Sequence, residues 1–132
     1  MDKNLEAAKA HLLVVDDDPE MRTLIGRMLH REGHVVVEAA NGREALKHLE
    51  AQAFDLVVSD LFMPDTDGIE LVREIPRRRP GTPVLVLSGA DDSVFGGLLA
   101  AAKMLGAVEA LPKPITAADL RGAVRAALDR AA

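Results

Sequence analysis

The chain has no cysteine, no tryptophan and no tyrosine, and three phenylalanines are its only aromatic residues. Without cysteine, neither a disulfide nor a thiolate metal site can form. With aromatics at 2%, there is no platform on which nucleic-acid bases could stack. An excess of positive charge is missing too: 16 Lys and Arg stand against 21 Asp and Glu, for a net charge of −5. That balance argues against a nucleic-acid surface. The basic cluster Arg77, Arg78 and Arg79 falls at an expected helix C-terminus, where cations complement the helix dipole. No apolar run approaches the roughly 20 residues that span a bilayer. Residues 1–10 form a polar tail that carries acids and lacks the hydrophobic segment of a signal peptide. The expected compartment is the cytoplasm by default, with no membrane partner.

What is present fits an ordinary soluble globule. The 132 residues, 28% charged and 48% hydrophobic, suit one domain over 11–132 that buries roughly two thirds of its unfolded surface. The chain is organised around residues 54–68, FDLVVSDLFMPDTDG. Its short run Leu56, Val57, Val58 predicts a buried strand with Asp60 at the C-terminal end, where a parallel sheet places its chemistry. Pro64 and Gly68 mark a loop, and Asp67 with Glu70 forms a pattern suited to starting a helix.

The remaining elements alternate. Residues 12–15 predict a strand ending in Asp16, Asp17 and Asp18. Asp18 is an N-cap before Pro19, leading a helix with Met21, Leu24, Ile25, Met28 and Leu29 at helical spacing and Gly33 as its stop. A strand over 35–39 is followed by Asn41 and Glu44 as a capping pattern before a second helix. The third helix carries Ile69, Val72 and Ile75 inward, and Pro76 is expected to end or kink it early. A strand over 83–87 ends at Ser88, and a fourth helix spans 94–105, weakened by Gly96 and Gly97. A weak strand over 108–111 runs into Lys113, and Thr116 with Asp119 starts the last helix through Leu120, Val124 and Leu128. Five strands alternating with five helices imply an α/β fold, a parallel sheet covered on both faces.

Right-handed crossovers bring the strand ends to one edge of that sheet, so Asp16, Asp17, Asp60, Ser88 and Lys113 are expected to meet there. Two carboxylates about 4 Å apart repel by roughly 4 kcal/mol at an effective dielectric near 20, so three crowded acids need a cation or must take up protons. A hard divalent ion is the natural answer, Mg²⁺ if phosphate chemistry follows. Zinc does not fit, because His11, His30, His34 and His48 show no ligand spacing and read as surface or strand-start residues. A metal-bound acid pocket beside a lysine and a hydroxyl suits phosphoryl transfer, with Asp60 the best carboxylate nucleophile.

The segments LLVVDDDPEMR, DLVVSDLFMPDTDG, PVLVLSGAD and LPKPITAADL together resemble the receiver domain of bacterial two-component response regulators, from residue 12 to about 128. The resemblance implies a single doubly wound (βα)5 flavodoxin-like domain with strand order 2-1-3-4-5. It implies that Asp60 accepts a phosphoryl group from a phosphohistidine on a sensor histidine kinase or histidine phosphotransfer protein. Asp17, Asp60 and the backbone carbonyl of Phe62 would bind Mg²⁺, with Asp16 helping through a water. Lys113 would pair with the phosphoryl oxygens, the Ser88 hydroxyl would bond one of them, and Lys113–Pro114 resembles the family's usual cis peptide. The family's role implies a signalling phosphoacceptor rather than an enzyme acting on other substrates.

Two departures stand out. Ala110 occupies the switch position that normally holds Tyr or Phe, so the usual coupling of hydroxyl movement to an aromatic rotamer is not available. Phe62 stands where a polar residue is common, and is expected to shield the acyl phosphate from water. The glycine-bearing fourth helix, the fifth strand and the last helix, residues 94–105, 108–111 and 117–128, form the expected surface for a downstream protein or a second copy. Two alternatives are a receiver-like interaction module working without phosphorylation, and a phosphatase-like hydrolase built on Asp16 and Asp18 as D-x-D. Glu20, where that hydrolase motif expects a hydroxyl or aliphatic residue, speaks against the second. The chain ends soon after the last helix, which leaves open a stand-alone regulator or a piece of a longer protein.

Overall fold

Apolar β-branched runs make the strands. The computed structural model describes residues 10–61, 68–88, 106–107, 109–112 and 115–131. In it, β1 (His11–Val15), β2 (Val35–Ala39), β3 (Leu56–Asp60), β4 (Val84–Ser88) and β5 (Glu109–Pro112) form one parallel sheet in the order β2-β1-β3-β4-β5. The expected order is therefore observed. β4 begins one residue later than expected because Pro83 has no N–H for the ladder; its carbonyl still accepts from Val57 N–H at 3.0 Å. The expected fourth helix and the polar tail lie outside the described residues.

The helices are α1 (Pro19–Arg31), α2 (Gly42–Ala51), α3 (Gly68–Arg78) and α4 (Ala117–Ala131). Three starts follow the local chemistry read from sequence. Asp18 accepts from Glu20 N–H at 3.0 Å, Asn41 from Glu44 N–H at 2.9 Å, and Thr116 from Asp119 N–H at 3.0 Å. Glu44 Oε1 in turn accepts from Ala40 N–H at 2.9 Å, one residue before the N-cap whose N–H the reciprocal bond of a capping box uses. Gly33, at φ 95, turns the chain out of α1 and donates to His30 C=O, a left-handed geometry that glycine adopts without Cβ strain.

Alternation along the strands divides the core into two layers. Leu13, Val15, Val57, Val84 and Val86 face α2 and α3, where they meet Ala45, Leu49, Leu71, Val72 and Ile75. Leu12, Val14, Leu56, Val58, Leu85 and Leu87 face α1 and α4, packing on Ile25, Leu29, Leu120 and Val124. The central strands β1, β3 and β4 are thus apolar on both faces, as a doubly covered parallel sheet requires.

Two sequence expectations need correction. Leu24 does not join the inward stripe of α1; it is 47% exposed, while Ile25, Gly26 and Leu29 are buried. Pro76 does not end α3 early. The helix continues to Arg78, and Arg79 N–H closes a further turn on Ile75 C=O at 2.8 Å. Proline removes a donor only two residues before the helix end, and the burial of Val72 and Ile75 holds the segment in place.

Candidate phosphoryl and metal site

The register of β1 on β3 builds the site. Val15 pairs with Ser59, so one step further along both strands Asp16 comes beside Asp60. These two strands are where the chain turns outward in both directions across the sheet, the topological switch point at which such folds bind ligands. Asp16 is 1% and Asp60 5% exposed, while Asp17 faces solvent. One carboxylate oxygen from each of Asp16, Asp17 and Asp60 lies within 4.8 Å of the others.

The loop after β1 is held by its own side chains. Asp16 N–H continues the ladder to Ala39 C=O at 3.1 Å. Its Oδ1 accepts from Asp18 N–H at 2.9 Å, the local turn that aspartate favours. Asp18 points away to cap α1 and is absent from the carboxylate group. That separation of Asp16 from Asp18 counts against the hydrolase reading, which needs both acids on one ligand. Across the site, Leu61 N–H donates to Leu87 C=O and Gly68 N–H to Leu61 C=O, both at 3.0 Å. These bonds tie the chain on either side of residues 62–67 to β4 and to α3.

Three carboxylates this close repel by about 3 kcal/mol per pair at an effective dielectric near 20. No histidine shares the group, so the donors are hard oxygens only. Two buried acids and one open to water suit a hard divalent cation that keeps part of its hydration shell.

Of the residues expected in the site, the structure brings Asp16, Asp17 and Asp60 together. Ser88 ends β4, and opposite it Pro112 ends β5, one residue before Lys113. The hydroxyl of Ser88, together with Phe62, Lys113, Gly96 and Gly97, lies outside what is described, as does the side chain of Ala110. Sequence reading missed Arg22, which donates from Nη1 to Asp16 C=O at 2.9 Å and from Nε to Glu38 at 3.1 Å. It also missed that Arg79 donates to Leu49 C=O at 2.7 Å, since neither contact has a local pattern. Arg78 pairs with Glu50 and Glu74, so the basic cluster fastens α3 to α2 besides closing its own helix.

Among the described residues no helix is long and apolar enough to cross a membrane. A family profile for the response regulator receiver domain matches residues 12–125. The transcriptional regulatory protein GlrR of Escherichia coli (strain K12) is 42% identical over 123 residues, which cover 93% of this chain and 27% of GlrR. The alkaline phosphatase synthesis transcriptional regulatory protein PhoP of Bacillus subtilis is 35% identical over 122 residues, 90% of this chain and 48% of PhoP. The chain therefore spans less than half the length of either relative. A receiver domain protein from Clostridium thermocellum superposes with a TM-score of 0.83 at 32% identity, covering 92% of this chain and 95% of that one. NtrX from Brucella abortus does so at 0.87 and 30% identity, covering 93% and 27%. With its strand order, its acid cluster at the switch point and these matches, the chain belongs to the response regulator receiver domain family, the signalling domains of two-component systems.

Proposed function

We propose that Asp60 is the phosphoacceptor and that Asp16, Asp17 and Asp60 hold Mg²⁺, Asp16 through a water, with the Phe62 carbonyl as a further ligand. One observation carries the reading: three carboxylates from the ends of two adjacent strands converge within 4.8 Å, with the reactive one almost wholly buried.

In the reaction, an Asp60 carboxylate oxygen attacks the phosphorus of a phosphohistidine on a sensor kinase or phosphotransfer protein. The O–P bond forms as the P–N bond breaks, and the imidazole leaves with the bonding pair and takes up a proton. Bound Mg²⁺ supplies positive charge against the phosphoryl oxygens. Lys113, one residue past the end of β5, pairs with those oxygens, and the Ser88 hydroxyl donates to one of them. Asp16 and Asp17 hold the negative wall that draws the cation in. The domain acts in the cytoplasm and turns over no substrate besides its own acyl phosphate. Its output passes to a protein partner or a second copy through residues 94–105, 108–111 and 117–128. The solution structure of the beryllofluoride-activated NtrC4 receiver domain dimer, which this chain matches at a TM-score of 0.84, supports a second copy as one such partner.

Intact-mass measurement after incubation with a small acyl phosphate and Mg²⁺ tests the proposal. Wild type gains the mass of one phosphoryl group, and Asp60→Ala or omission of Mg²⁺ abolishes the gain. An undiminished gain in Asp60→Ala refutes the assignment.

A further inference from the structure

Arg22 has a second connection that a surface ion pair does not explain. Its guanidinium side chain is only 19% exposed and bridges two elements. Nε donates to Glu38 of β2 at 3.1 Å, and Nη1 donates to the backbone carbonyl of Asp16 at 2.9 Å. That carbonyl belongs to the peptide group joining Asp16 to Asp17. The N–H of Asp16 is the last ladder bond between β1 and β2, to Ala39 at 3.1 Å. Beyond it the ladder stops, and the Asp16 carbonyl is satisfied by Arg22 instead.

We propose that Arg22 is a positioning residue for the cation site: it fixes the Asp16–Asp17 peptide plane, and Glu38 both holds the guanidinium and cancels its charge. The inference rests on the reading of the acid cluster as a Mg²⁺ site. The side chain of Asp16 is held by Asp18 N–H, but Asp17 is exposed and takes its direction from the peptide plane that precedes it. Rotation of that plane swings the Asp17 carboxylate away from Asp60. An arginine can serve both acceptors because its donors are arrayed in a planar fork on separate nitrogens; a lysine's three donors radiate from one nitrogen on a flexible stem and fix the two acceptors less firmly.

Charge matters as well as direction. An unpaired guanidinium held on the Asp16 carbonyl would compete with a divalent cation for the acids, and pairing with Glu38 weakens that competition. Gly26, one turn further along α1, leaves room for this arrangement. A Cβ there would come within 3.2 Å of Glu38 Oε2.

The test is Mg²⁺ affinity by titration calorimetry, with thermal stability measured in the absence of the cation. Partners that orient metal ligands typically contribute ten-fold or more to affinity, so Arg22→Ala is expected to weaken Mg²⁺ binding about ten-fold. Arg22→Lys should recover about half of that loss on a logarithmic scale. Glu38→Gln, which keeps the side-chain volume and gives a second variant should Arg22→Ala fold poorly, is expected to weaken binding several-fold with cation-free stability near that of wild type. Mg²⁺ affinity within two-fold of wild type in folded Arg22→Ala, or in Glu38→Gln, overturns the role of Arg22 while leaving the cation site standing. A wild type that binds no Mg²⁺ overturns both.

Discussion

Gly68 sits where a side chain has no room, and its replacement tests how tightly the chain beyond Asp60 is held. A Cβ built at Gly68 lies 2.4 Å from both Cα and O of Leu61 and 2.6 Å from the Asp60 carbonyl. All three are backbone atoms, so relief to an ordinary contact near 3.4 Å requires a backbone shift of about 1 Å. The shift falls on the Gly68 N–H to Leu61 C=O bond. Overpacking of this kind costs about 1–3 kcal/mol and the strained bond about 1 more, against up to about 1 kcal/mol gained in helix propensity. With the full propensity gain set against these costs, Gly68→Ala is expected to be destabilised by about 1–3 kcal/mol in urea denaturation at unchanged slope. Gly122, inside α4 with nothing within 4 Å of its built Cβ, is the matched control. Gly122→Ala is expected to gain about 0.5–1 kcal/mol. Because the displaced atoms include the Asp60 carbonyl, Gly68→Ala should also be phosphorylated markedly more slowly. A Gly68→Ala protein as stable as wild type, or shifted in the same direction as Gly122→Ala, would show that the backbone around Leu61 yields without cost.

The acid cluster predicts an inverted effect of mutation. In cation-free buffer Asp60→Asn relieves repulsion from Asp16 and Asp17, and, discounted for the exposure of Asp17, should raise stability by about 1–2 kcal/mol. Mg²⁺ at ten times its dissociation constant should stabilise wild type by about 1.4 kcal/mol and Asp60→Asn by much less; chemical denaturation with and without Mg²⁺ reads both, and an unstable Asp60→Asn contradicts the repulsion argument. Arg79→Ala strips a donor from the Leu49 carbonyl near the end of α2 and should cost about 1 kcal/mol. Arg77→Ala, whose partner Glu74 lies 3.6 Å away with the arginine side chain 70% exposed, should change stability by less than about 0.5 kcal/mol; equal effects would rule out the special standing of Arg79.

The features legible in the sequence are those whose cause is local. Asp18, Asn41 and Thr116 start helices because each finds a donor within three residues, and strand runs such as 12–15 and 56–58 carry their burial in their own composition. The convergence of Asp16 and Asp60 followed from topology, since equal strand direction and adjacent order leave their ends side by side. What stayed hidden depends on distant partners. Arg22 meets Glu38 sixteen residues away and Arg79 meets Leu49 thirty residues away, and no spacing rule encodes either. Pro76 does not end α3 because its local cost is outweighed by the packing of Val72 and Ile75. Leu24 misled because a helix stripe read from periodicity is wider than the face the sheet covers.

The proposed function places the phosphoryl group on Asp60 in a cation-dependent pocket. A crystal structure grown with Mg²⁺ and beryllofluoride, which mimics the aspartyl phosphate, tests it directly. The adduct is expected on an Asp60 carboxylate oxygen, with the cation bound by Asp17 and Asp60. An adduct on any other residue, or a cation seated away from those carboxylates, would contradict it.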